Sequence, residues 1–137
     1  MKLIKQEDVQ GCGIACLAMV TGKTYQEVLN DFMNDFEQQG MSLEGIMEYL
    51  KDFGYLTLYK SALHYQHNPR LKKDMIKPFA DMHIVRILQF FDAEQGHLVV
   101  MDNRGKFLCP GGMSDKQVRE AYAITDVVGV YSLDFEK

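Results

Sequence analysis

The sequence has few cysteines, few prolines, no long apolar run and no cluster of basic charge, and most of these shortages remove a class of protein. Its three cysteines, Cys12, Cys16 and Cys109, are too few, and odd in number, for a disulfide framework. Free thiols of this kind point to a reducing compartment, so the cytoplasm is the expected location. The first residues lack the apolar stretch of a signal peptide, and no segment is apolar enough to span a bilayer; a soluble chain is expected. The densest basic piece, Arg70-Leu71-Lys72-Lys73, is short and lies in a loop-like stretch, so it reads as a solvated turn and no nucleic-acid footprint is expected. No linker, repeat or low-complexity segment divides the 137 residues, which implies one domain over residues 1–137. What is present is a mildly acidic chain, net charge −4, with 47% apolar residues, enough for a core at this length.

The apolar pattern orders helices before strands. Leu3-Ile4 is an extended arm leading to Gln6, and Gly11 allows a turn. A helix is expected over 12–20, with Ile14, Leu17 and Ala18 at helical spacing and Gly22 as its C-terminal glycine. Thr24 and Glu27 form a capping box for a second helix whose apolar face is Val28, Leu29, Phe32, Met33 and Phe36; Ser42 caps a third carrying Leu43, Ile46, Met47 and Leu50. Strands follow at 55–59, 82–91 and 97–101, the second buried because Ile84, Val85, Ile87 and Leu88 run almost without interruption. Between the first two lies a polar stretch, 64–77, bounded by the breakers Pro69 and Pro78. Asp102-Asn103-Arg104-Gly105 is a hairpin turn returning antiparallel through 106–109. A short helix capped by Ser114 and a closing strand at 127–131 complete an α+β order with two segregated layers.

One constellation points to a chemistry. Gln6 precedes Cys12-Gly13-Ile14-Ala15-Cys16-Leu17-Ala18-Met19, and Gly96-His97-Leu98-Val99-Val100 lies far downstream with His97 opening a strand. The thiolate is the reactive form of cysteine, and a helix N-terminus, with its unpaired N–H groups, favours it at Cys12. A facing imidazolium at His97 adds an ion pair. Attack on a carbonyl needs donors where the oxyanion develops; the Cys12 N–H is one and the Gln6 amide a second. Cys16, one turn further in, is expected in the core as a small apolar residue.

These stretches resemble the papain-like cysteine peptidases of the C39 type, in particular the small stand-alone C39-like proteins of bacteria and their phages. The resemblance follows the element order over most of the chain. It implies a papain-like fold with N-terminal helices packed on an antiparallel sheet. It also implies Gln6 for the oxyanion, Cys12 as nucleophile and His97 as general base on a peptide or isopeptide carbonyl, with a peptide or protein as partner and no cofactor. In that family an Asp followed by Pro orients the histidine; the matching site here is Cys109-Pro110, where Cys109 replaces the acid. Asp102 is the nearest carboxylate, read as a turn residue first and as a third catalytic member second. Transporter-fused C39 domains cut leaders after a double glycine; this chain shows no transporter, so leader processing is not implied.

Each residue also has a plainer reading: Cys12 a buried cysteine, His97 a satisfied core histidine, Gln6 a surface amide. Only their order together favours a site. A second class of function is a papain-like fold kept as a binding module, such as a phage or bacterial factor docking on a host protein, for which Cys109 is the best support. His64 and His67 with Cys12 and Cys16 lack the knuckle spacing of a zinc site, so no metal is expected. His83 is expected to be structural, and Asp31, Asn34, Asp35 and Glu37 the solvated face of the second helix.

Overall fold

The computed structural model describes residues 1–7, 11–35, 42–61, 78–89 and 92–132. The expected polar stretch 64–77, with His64 and His67, lies outside them, as do Phe36 and Glu37. α1 (Cys12–Thr21) is apolar on all sides, and every residue from Gly13 through Val20 is buried, as befits a helix at the centre of a core. Gly22 ends it in the left-handed conformation, φ 76°, donating its N–H to Ala18 O. α2 (Tyr25–Asp35) starts on a closed capping box: Glu27 N–H donates to Thr24 Oγ1 and Thr24 N–H to Glu27 Oε1, each at 3.1 Å. Ser42 caps α3 (Leu43–Asp52) by accepting from Gly45 N–H at 3.1 Å.

The helices bury Val28, Phe32, Ile46, Tyr49 and Leu50 around α1. The Tyr49 ring stacks on Phe32, and its hydroxyl donates to Asp31 Oδ2 at 2.7 Å, where Lys23 Nζ also binds at 3.0 Å. Burial first, and then the Asp31 carboxylate, push the Tyr49 phenol up, so it stays a donor.

The sheet has the order β1-β5-β2-β3-β4 and every pairing is antiparallel. Its strands are β1 (Tyr55–Ser61), β2 (Met82–Gln89), β3 (Asp92–Met101), β4 (Phe107–Leu108) and β5 (Tyr122–Ser132), with α4 (Asp115–Ala121) between the last two. The near-continuous apolar run of β2 has a physical cause. Ile84 joins the helix-side core, while Val85 and Ile87 join a second core with Val99, Met101, Phe107, Val118 and Val127. Both faces of the central strand are covered, so neither selects polar residues.

Two strands start several residues earlier than expected. β3 starts at Asp92, so His97 sits within the strand and not at its start, and β5 starts at Tyr122 instead of 127. In both cases the ladder with β2 extends the strand: Leu88 pairs with Gly96 and Ala123, and Gln89 with Asp92 and Tyr122. Pairing to a central strand overrides the local apolar alternation. No helix among the described residues is long and apolar enough to cross a membrane.

His83 is fully buried and ties three backbone groups. Its Nε2 accepts the N–H groups of Phe79 and Ala80 at 3.0 and 3.2 Å, and its Nδ1–H donates to Met101 O at 3.1 Å. Over the same segment the Tyr131 hydroxyl donates to Phe79 O, and a Cβ at Gly129 would overlap the Phe79 ring. Burial lowers the His83 pKa against the opposing pull of Met101 O, Asp102 and Asp81. An unfolded histidine takes its proton near pH ~6.5, the folded one only at lower pH. The unfolded chain therefore binds more protons below that point, and stability falls as pH drops from about 6.5. We expect His83→Ala to cost about 3 kcal/mol at pH ~7.5, since it leaves buried backbone groups without partners. The variant should also lose part of the acid destabilisation; His97, lowered in the same direction, retains the rest. Urea unfolding of both proteins at neutral and mildly acid pH checks this.

Candidate active site

The site forms at the edge of the sheet where β4 stops. β4 pairs only with Val100 and Met101 of β3, so His97, paired with Ile87 on its other side, lies beyond that short ladder. Along β3, Leu98 and Val100 enter the helix-side core and Val99 and Met101 the opposite one. By the two-residue period of a strand His97 shares the face of Val99. Cys109, just past β4, belongs to that second core and is buried. Its Sγ lies 3.4 Å from His97 Nε2. Burial lowers the His97 pKa, which keeps the imidazole neutral at pH ~7 and able to accept a proton.

Gly111 adjoins the pair: a Cβ there would lie 3.5 Å from His97 Nε2 and 3.6 Å from Cys109 Sγ. Gly111 itself is exposed, so this side of the ring is covered by no side chain of that residue. The turn closes by Gly112 N–H donating to Cys109 O at 3.0 Å. Its middle carbonyl, Pro110 O, accepts the backbone N–H of Gln6 at 3.1 Å. Gln6 is half-buried, with its amide oxygen inaccessible to solvent.

Cys12 is the first residue of α1 and is half-buried. Its N-cap, Gly11, has no side chain to occupy the first-turn N–H groups, and no acidic residue lies in that turn. The positive end of the helix is thus presented at the Cys12 thiol. α1 packs against β3. Cys16 is fully buried, and its thiol is pushed well up by burial, with Cys12 and Cys109 both close enough to add to the shift. Of the three sulfurs, that of Cys109 is the one in contact with His97.

The turn at Cys109-Pro110 thus brings together His97, through Cys109 Sγ, and Gln6, through Pro110 O, while Cys12 opens the helix that packs against β3. Asp102 does not join them. It sits at the hairpin turn, where Oδ1 accepts from Arg104 N–H at 2.8 Å and Lys106 N–H at 2.9 Å. Desolvation pulls its carboxyl up, but the Lys106 and Arg104 backbone bonds and charges outweigh this and hold it low. That carboxylate is committed to the turn. Among the described residues no group of three or more His, Cys, Asp or Glu side chains forms a metal-binding cluster. Sequence reading missed Gly111 and the Pro110 carbonyl. The Pro110-Gly111-Gly112 run was the available signal, since such a run marks a tight turn directly after the acid position.

A model of the Peptidase C39 family matches residues 1–106, a span that contains Gln6, Cys12 and His97 and ends before Cys109. The chain belongs to the Peptidase C39 family. Its fold is that of solved C39 peptidase domains. The peptidase domain of Streptococcus ComA, a bi-functional ABC transporter of a quorum-sensing pathway, is similar at a TM-score of 0.55 and 18% identity, covering 96% of this chain and 98% of that one. A double glycine motif protease from an AMS/PCAT transporter, solved with its leader peptide, is similar at a TM-score of 0.62 and 15% identity, covering 94% and 89%. The Streptococcus mutans ComA peptidase domain bound to a small-molecule inhibitor gives 0.54 and 18%, covering 95% and 98%. No curated protein matches the chain.

A thiol is a weak donor and a weak acceptor, so Cys109 offers His97 little charge stabilisation. Replacing it by a carboxylate at the same contact places a negative charge beside Nε2. We expect Cys109→Asp to raise the His97 pKa by about 1–2 units, and Cys109→Ala to leave it nearly unchanged. Ring-proton NMR titration of both variants measures this, and an unmoved His97 in Cys109→Asp would show that residue 109 does not face the imidazole.

Proposed function

We propose that this C39 family member is a cysteine peptidase-like hydrolase acting on a peptide or isopeptide carbonyl, with Cys12 as nucleophile. The observation that carries the reading is that Gln6 and His97 both bond to one turn, Cys109-Pro110, while Cys12 opens a helix that packs against the strand of His97. With Nε2 engaged by Cys109, Nδ1 is the nitrogen that serves the nucleophile. It takes the Cys12 thiol proton as the sulfur attacks the carbonyl carbon. The oxyanion is held by the Cys12 N–H and the Gln6 side-chain amide. Collapse expels the amine, which leaves with the proton from the His97 imidazolium. Water, deprotonated by His97, then hydrolyses the thioester and frees Cys12. Residues 1–137 act as one domain in this reading, in a reducing cytoplasm of bacterial or phage origin.

The substrate class follows from the family and from the neighbour solved with a leader peptide. A peptidyl-Gly-Gly aminomethylcoumarin amide is a suitable first probe. Cys12→Ala should abolish its cleavage while the fold persists, and His97→Ala should lower kcat by about 100-fold or more. A peptidyl vinyl sulfone should label Cys12 and neither Cys16 nor Cys109, as mapped by mass spectrometry. Labelling of native protein that is indifferent to His97→Ala would sink the proposed pair.

The contact of His97 with a sulfur in place of a carboxylate favours a second reading, a papain-like binding module with impaired catalysis. The two separate on Cys109→Asp. A weakened but real active site gains hydrolysis from the added carboxylate. A binding module gains none, and keeps its biological effect in Cys12→Ala.

A further inference from the structure

One turn touches both halves of the site. From residues 109–112, Cys109 Sγ reaches His97 Nε2 at 3.4 Å, and the next residue, Pro110, accepts the Gln6 backbone N–H at 3.1 Å. Both turn residues are buried. The turn itself is fixed by the Gly112 N–H to Cys109 O bond and by Gly112 at φ 92°, a conformation that other residues resist. Gln6 by contrast is half-buried and follows a segment in which Met1, Lys2 and Leu3 are exposed. An oxyanion donor is effective only when held in place before the charge develops.

We propose that Pro110 is a positioning residue: its carbonyl, through the Gln6 N–H, fixes the Gln6 side chain relative to the His97 imidazole that the adjacent Cys109 holds. One turn then sets the spacing between the oxyanion donor and the base, and moving the turn moves both. This rests on the roles of Gln6 and His97 proposed above.

The Gly11–Cys12 junction allows a direct test. A synthetic 1–11 thioester ligated to an expressed 12–137 fragment regenerates the full chain. It can carry an ester in place of the Lys5–Gln6 amide, which replaces the Gln6 N–H by an oxygen, weakens the Lys5 carbonyl as an acceptor and leaves the Gln6 side chain. The probe is the same peptidyl-Gly-Gly aminomethylcoumarin amide. We expect kcat to fall about 10- to 100-fold against the all-amide ligated protein, less than loss of a whole oxyanion donor. KM should change less than about twofold, since the interaction is made in the transition state. The acid limb of the kcat/KM profile should stay in place, because Cys109 still holds His97. Gly112→Val, which strains the turn, should lower kcat and also shift that acid limb; if it fails to fold, the ester protein still decides. Equal kcat in ester and amide proteins, or a raised KM with kcat unchanged, overturns the positioning role and leaves the peptidase reading intact. An all-amide ligated protein that neither cleaves the probe nor is labelled by the vinyl sulfone overturns the peptidase reading, and this proposal with it.

Discussion

The structure depends on the burial of α1. A helix apolar on all sides has no face to give to solvent, so α2, α3 and the sheet must enclose it, and every residue from Gly13 to Val20 is buried. Burying its side chains still leaves the backbone polar groups at its two ends to be satisfied. At the C-terminal end Gly22 does this within the chain. At the N-terminal end nothing comparable is built: the cap is a glycine and the first turn holds no acid. No side chain of the cap residue occupies the first-turn N–H groups beside Cys12. In a protein where stability alone mattered, a Ser or Asp at residue 11 would be favoured by about 1 kcal/mol. A side-chain cap there would compete with the anion that the proposed chemistry requires at the same N–H groups.

The pairing of His97 with a sulfur changes what a third member of the site does. A carboxylate accepts the Nε2–H and stabilises the imidazolium, which favours both the correct tautomer and the thiolate–imidazolium pair. A thiol accepts weakly and also donates, so it keeps the ring in place by contact without fixing which nitrogen carries the proton. Geometry and charge, joined in one residue by Asp, are separated here. Burial adds to this effect by lowering the His97 pKa without a charge to oppose it. A base with a lowered pKa keeps its lone pair available at neutral pH but is a weaker proton acceptor. In the proposed mechanism this shifts weight to the helix N-terminus and the proposed oxyanion donors, which do not depend on the protonation of His97.

How far the sequence disclosed this follows from the range of the interactions. The helix boundaries were legible because caps are local: Thr24 with Glu27, Ser42 with Gly45, and Gly22 each act within a few residues. The approach of Cys109 to His97 follows from hairpin arithmetic around the turn at Asp102, whose carboxylate binding of Arg104 and Lys106 N–H is again local. The starts of β3 and β5 were not legible, because they are set by pairing with β2 and not by their own pattern. Nor was the bond from Gln6 to Pro110, a backbone contact between distant segments that no side-chain identity encodes.

That last bond also bears on why a proline suits residue 110. Proline restricts its own φ and disfavours the helical region in the residue before it, so Cys109 and Pro110 are stiffened together. A stiff pair transmits a displacement instead of absorbing it. If Cys109 shifts with the imidazole, the Pro110 carbonyl shifts as well and draws Gln6 with it, preserving their spacing. A flexible residue at the same place would let His97 and the Gln6 segment move independently, and the separation that the proposed mechanism needs between them would no longer be set by one turn.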